Sequence, residues 1–121
     1  MALGEKTAYT DIDGIRILAA PVDLDVYTVP AFRQTHVESV GTGHYRQVVD
    51  LSKTVYIDST GLGVLVGALK RTRAHMGWVR LAGPTGHVEK QLRLSGLTKV
   101  FEIFDGVEAA INHEPEGATT P

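Results

Sequence analysis

Apolar residues change their spacing several times along the chain, and each change marks an element. Thr7 to Ile12 and Ile15 to Ala20 read as extended segments around Asp13-Gly14, a pair that signals a two-residue hairpin between strands. Ile15 and Ile17 alternate with Arg16 at the period of a half-buried strand, until Leu18-Ala19-Ala20 blurs the pattern. Pro21 then bends the chain or confines it to an edge. Val22 to Thr28 reads as a loop that leads to a helix. Thr28 is placed to cap that helix, and Pro30 sits in its first turn, where a missing N–H costs little. Phe32, His36, Val37 and Val40 recur at helical spacing, and Gly41 supplies the stop.

Gln47 to Leu51 is a short apolar run with β-branched residues, the signature of a central strand. Ser52-Lys53-Thr54 links it to Val55-Tyr56-Ile57, again extended. Thr60 to His75 is helical, with Leu62, Leu65, Val66, Leu69 and Met76 as its apolar stripe. Lys70, Arg71 and Arg73 complement the negative end of its dipole, and Gly77 closes it. Trp78 to Ala82 reads as a strand broken by Gly83-Pro84. Val88, Leu92 and Leu94 mark a third helix ended by Gly96. Leu97 to Phe104 carries a last short strand, and Asp105-Gly106 turns into a final helix from Val107 to Asn112. An opening hairpin followed by alternating strands and helices predicts an α/β fold, a mixed β-sheet covered by about four helices. The division expected is a leader over residues 1–6, one domain over 7–112 and a disordered tail over 113–121, since Glu114 to Pro121 has no apolar anchor.

Composition narrows the function. A chain of 121 residues with 43% apolar and 21% charged residues suits one ordinary domain. A formal charge of −2 gives no field for nucleic acid. The absence of cysteine excludes disulfides, thiolate zinc sites and cysteine nucleophiles. The first six residues lack the apolar core of a signal peptide, and the nearly apolar run from Gly61 to Leu69 is about half the ~20 residues that span a bilayer. The expectation is a cytoplasmic protein with neither a membrane nor a nucleic-acid partner.

The stretch with chemistry is Tyr56-Ile57-Asp58-Ser59-Thr60-Gly61-Leu62-Gly63: a strand end, a polar turn and the start of the longest helix. Asp58 and Ser59 both suit an N-cap, worth about 1 kcal/mol, although Leu62 stands where a capping box needs Glu or Gln. Equally, the free N–H groups of a helix N-terminus stabilise a phosphate, which makes Ser59 a candidate acceptor. Enzymatic readings are weaker. Gly61-x-Gly63-x-x-x-Gly67 resembles a dinucleotide fingerprint, but the next strand ends in Ala82-Gly83 with no acid for a ribose, so Gly63 and Gly67 read better as close-packing positions on a buried face. Ile57 and Gly61 flank Ser59 where a nucleophile elbow needs two glycines. His36, His44, His75 and His87 could serve Ser59 as a base only if the fold brings one near, and none has metal-ligand spacing. Hence no catalytic residue, metal or cofactor is expected. Lys70-Arg71-Thr72-Arg73 reads as a solvated helix end, with an acidic partner or phosphate as the alternative.

Four segments together resemble the anti-sigma factor antagonists of the STAS domain family: Asp25-Val26-Tyr27-Thr28-x-Pro30, Val48-Val49-Asp50-Leu51, Asp58 through Arg71, and Gly96-Leu97-Thr98-Lys99-Val100-Phe101. Asp58-Ser59-Thr60-Gly61-Leu62-Gly63 is the most specific block. The resemblance implies a small α/β STAS domain that binds an anti-sigma factor, itself a serine kinase of the GHKL type, and so frees a sigma factor. It also implies that phosphorylation of Ser59 abolishes binding and that a PP2C-type phosphatase restores it. Partner contacts would come from Asp23, Asp25, Tyr27, Thr28, Asp58, Ser59, Thr60, Gly61 and Leu62. The chain departs from the family where Val22-Asp23-Leu24-Asp25 replaces Gly-Glu-Ile-Asp, at Pro21-Val22, and from Gly83 to Lys90. Two other functions are compatible with the residues: a STAS scaffold or sensor in which Ser59 serves only as a cap, and a small nucleotide-binding protein that uses the helix N-terminus directly.

Overall fold

A computed structural model describes residues 7–113. The expected leader, and the expected tail beyond His113, lie outside the described residues. β1 (Tyr9–Ile12) and β2 (Ile15–Ala19) form the predicted antiparallel hairpin. Asp13 and Gly14 join them with φ of +53° and +78°, the mirror-image turn that matches strand twist. β4 (Arg46–Asp50), β6 (Trp78–Ala82) and β7 (Glu102–Phe104) extend the sheet in parallel, giving the order β1-β2-β4-β6-β7. The helices are α1 (Val29–Gly41), α2 (Ser59–Arg73), α3 (Gly86–Leu94) and α4 (Val107–Asn112). None of them is long and apolar enough to cross a membrane.

Both faces of the sheet are covered. Leu18, Val49 and Leu81 lie in register across β2, β4 and β6 and pack with Phe32 of α1, Leu65 and Leu69 of α2, and Leu92 of α3. Each such side chain contributes ~1.5–3 kcal/mol by leaving water. The opposite face buries Ile15, Ile17, Val48 and Ala82 beneath Ala110 of α4. Arg80 fastens α4 there: it is buried, stacks 3.7 Å from the Trp78 ring centroid and donates to the Ala110 carbonyl over 2.9 Å.

Several local readings need correction. Val22 to Thr28 is not all loop, because Asp23–Leu24 forms a short strand, β3, parallel to β5 (Tyr56–Ile57) in a ladder outside the main sheet. Arg16 does not alternate outward; it is buried on the α1 side, where Asp11 and Ser39 accept its hydrogen bonds. Val37 is exposed, and the α1 stripe is completed by Val29, Thr35 and Ser39. On α2 the buried positions are Gly61, Val64, Leu65, Ala68, Leu69 and Thr72; Leu62 and Val66 are half-buried, and Met76 is 97% exposed. Met76 falls outside that stripe because the helix stops at Arg73 and Met76 takes a left-handed φ of +63°. Gly77 is required for a different reason than closing the helix: a Cβ there would strike the Tyr45 backbone. Leu94 is exposed, and a 3₁₀ turn at Leu97–Lys99 precedes β7.

Candidate functional site

The β3–β5 ladder explains why two stretches distant in sequence meet. Asp23 pairs with Tyr56 and Leu24 with Ile57, which sets the Asp23-to-Thr28 segment beside the start of α2. Gly61 makes this approach possible. A Cβ on it would collide with the Leu24 carbonyl oxygen and come within 2.7 Å of Ile57 Cγ1. Gly63 and Gly67 have nothing within 4 Å of such an atom, so they are not close-packing positions on a buried face.

Asp58 is the cap of α2. Its backbone is extended, Oδ1 accepts from the Gly61 N–H over 2.8 Å, and Oδ2 accepts from the Val26 N–H over 3.2 Å. One carboxylate thus ends the helix and holds the neighbouring loop. Ser59 is the first helical residue; it is exposed, and none of the hydrogen bonds among the described residues uses its hydroxyl. Thr60 is half-buried next to it. The N–H groups of Ser59 and Thr60 precede the first intrahelical bond, from Leu62 N–H to the Asp58 carbonyl over 2.9 Å. They leave the positive end of the helix dipole at the turn that carries the hydroxyl.

The facing loop is held by its own side chains. Asp25 Oδ1 accepts from the Tyr27 and Thr28 N–H groups over 3.0 and 3.2 Å. Thr28 is not the side-chain cap expected of it. Its hydroxyl turns back, donating to the Asp23 carbonyl over 2.7 Å and accepting from the Asp25 N–H over 3.0 Å, and α1 begins without a side-chain cap. Because these bonds satisfy the polar groups internally, Tyr27 points outward and is 88% exposed, with Val26 beside it.

Of the nine predicted partner-contact residues, then, Asp58 and Gly61 build the corner, Asp25 and Thr28 shape the loop, and Tyr27 and Ser59 are presented outward. Asp23 lies exposed at the ladder, while Leu62 is half-buried at the core's edge. Sequence reasoning gave no role here to Tyr56 as a side chain, and named His87 only as one of four histidines that could serve Ser59 as a base if the fold brought it near. The His87 ring stacks on Tyr56, and its Nε2 donates to the Ile57 carbonyl over 3.1 Å. Neither spacing nor composition signals a contact between residues on two separate elements.

The sequence matches the STAS domain model over residues 6–110. An anti-sigma-B factor antagonist of Listeria monocytogenes is 35% identical over 84% of this chain and 88% of its own. One from Staphylococcus epidermidis is 31% identical over 71% of this chain and 80% of its own. Among solved structures, a Thermotoga maritima protein proposed to be an anti-sigma factor antagonist superposes with a TM-score of 0.81 at 26% identity, covering 92% of this chain and 96% of the other.

Proposed function

The chain belongs to the STAS domain family, among its anti-sigma factor antagonists, and from that premise we propose that it binds an anti-sigma factor through the Ser59 corner and is switched off by phosphorylation there. Antagonists of this group are non-enzymatic regulators, so the chain acts by binding. The observation that carries the proposal is the division of labour at the helix start: Asp58 does the capping, which leaves the Ser59 hydroxyl exposed and unengaged. Ser59 as a mere cap, the scaffold reading, therefore has no support from the local geometry.

In this reading the partner is an anti-sigma factor serine kinase of the GHKL type, a PP2C-type phosphatase reverses the modification, and the exchange takes place in the cytoplasm. Tyr27 is the anchor, a rigid side chain that buries a large area at little entropic cost. A phosphoryl group on Ser59 adds about −1.5 to −2 charges beside Asp58 and across from Asp25. The helix N-terminus offsets up to about 1–2 kcal/mol of that repulsion, so the fold survives while the docked partner meets a new anion. Incubation with the cognate anti-sigma kinase and ATP should add one phosphate, mapped to Ser59 by mass spectrometry. An active kinase that leaves the mass unchanged sinks the switch.

A further inference from the structure

Eleven large apolar side chains are exposed among the described residues, and five of them fall in the two short stretches that the β3–β5 ladder joins: Val22, Val26, Tyr27, Val55 and Tyr56. Val26 and Tyr27 belong to the Ser59 corner. Val22 and Val55 stand at the other end of the ladder, 57% and 63% exposed, and neither packs on either core cluster. Their backbones are tied together. The Val22 carbonyl accepts from the Val55 and Tyr56 N–H groups over 2.8 and 3.3 Å, and one residue on, Asp23 pairs with Tyr56. Thr54 is buried, and its hydroxyl donates to the Pro21 carbonyl over 2.8 Å, which pins the chain just before Val22. The backbone beneath the two valines is therefore held, and a β-branched side chain on it has little rotamer freedom to lose on binding.

We propose that Val22 and Val55 form a second, apolar contact for the anti-sigma factor, separate from the residue that phosphorylation changes. This rests on the partner docking at the Ser59 corner and extends its footprint along the ladder. Size decides the occupant. Val55 is four residues before Ser59, so at most about 14 Å of extended chain lies between them. Val22 is one ladder spacing, ~4.8 Å, from the Val55 strand. A specific interface covers about 800 Å² on each partner, a patch roughly 30 Å across. A partner seated on Ser59 and Tyr27 therefore reaches both valines. The make-up of the strip agrees: the two valines carry no charge, while Lys53 and Asp23 beside them are exposed with opposite signs. An apolar centre with a charged rim is the composition of an interface core, so the anti-sigma factor meets this strip with apolar side chains rather than with cations.

Val22→Thr and Val55→Thr keep the β-branched shape and exchange a methyl for a hydroxyl, so the ladder stays intact, which unchanged urea midpoints verify. Calorimetric titration with the cognate anti-sigma kinase should show each variant binding about 3- to 10-fold more weakly, and the double variant at least about 10-fold, because a hydroxyl is then buried without a partner. Met76→Thr, at a side chain 97% exposed beyond the far end of α2, is the control and should bind like the native chain. Threonine variants that match the native chain, while Tyr27→Ala weakens binding, overturn the ladder contact and leave the Ser59 corner standing. A loss in the threonine variants with native binding by both Tyr27→Ala and Ser59→Asp defeats the corner and keeps the ladder. An equal loss in Met76→Thr overturns the proposal. So does a dimer of the chain alone that the double variant abolishes without changing anti-sigma binding, since the strip would then belong to a second copy.

Discussion

The Ser59 corner and the polar layer beneath α1 use similar residues to opposite ends. At the corner, Asp58, Asp25 and Thr28 spend their oxygens on nearby backbone groups, and the side chains left over point into water. Beneath α1, Arg16, His36, Ser39 and Gln47 are buried, and most of their bonds run between side chains. Gln47 Nε2 donates to the His44 carbonyl over 2.8 Å, so its Oε1 faces His36 as an acceptor, 2.7 Å from Nδ1. His36 thus carries its proton on Nδ1, and Nε2 is buried with no partner among the described residues. The difference separates two uses of polarity. A buried network fixes one packing of α1 on the sheet and is intolerant of added charge, whereas the corner leaves its exposed hydroxyl unengaged at a helix N-terminus.

The largest break in that comparison should come at the corner's one rigid constraint. Gly61→Val forces a side chain into the Leu24 carbonyl and Ile57, and we expect a loss of about 3 kcal/mol or more in urea denaturation, together with loss of partner binding. Gly63→Ala, two residues on and facing open space, should stabilise by about 0.5–1 kcal/mol through helix propensity. Equal losses for both would mean that the β3–α2 approach is not the constraint.

Next in size is the pH response of the buried layer. Burial pushes the His36 imidazole below its ordinary value, opposed by the hydrogen bond to Gln47 and assisted by the charge of Arg71. The unfolded chain therefore binds the extra proton first. Stability is fully present above about pH 6.5 and falls as pH drops from there toward the lowered folded value, by at most about 1.4 kcal/mol per pH unit. His36→Gln should flatten that slope in denaturation curves taken between pH 7 and 5. An unchanged slope would assign the acid sensitivity elsewhere. Asp11 acts at lower pH: the hydrogen bond from Arg16 holds its carboxyl below the usual range, so its contribution is present above about pH 3.8 and lost on further acidification.

Asp58→Ala removes the α2 cap and the loop tie at once, and should cost about 1–2 kcal/mol while weakening partner affinity more than stability alone explains. Calorimetric titration beside a melting curve separates the two effects. The smallest effect on stability belongs to the residue argued to matter most for function. Ser59→Ala should stay within about 0.5 kcal/mol of the native protein, bind the anti-sigma factor and resist phosphorylation, whereas Ser59→Asp should bind less tightly. A Ser59→Ala protein that melts like Asp58→Ala would return the hydroxyl to a capping role.

Local rules carried the hairpin at Asp13-Gly14, the strands of the main sheet, the helices and the basic end of α2, because each depends on residues within a few positions of one another. They failed where a choice is settled by distant neighbours. Thr28 and Ser59 both carry the residue type of a cap, yet Thr28 bonds back into its loop and Asp58 takes the helix. Three glycines of α2 look alike in sequence, and only Gly61 meets another backbone. Met76 continues a stripe on paper and stands in water because the helix had already ended. The chain's own periodicity thus determined the hairpin, the strands of the main sheet and the four helices. Tertiary structure alone decided which hydroxyl was left unengaged and which glycine was indispensable, since pairing β3 with β5 creates contacts that no pattern within either strand encodes.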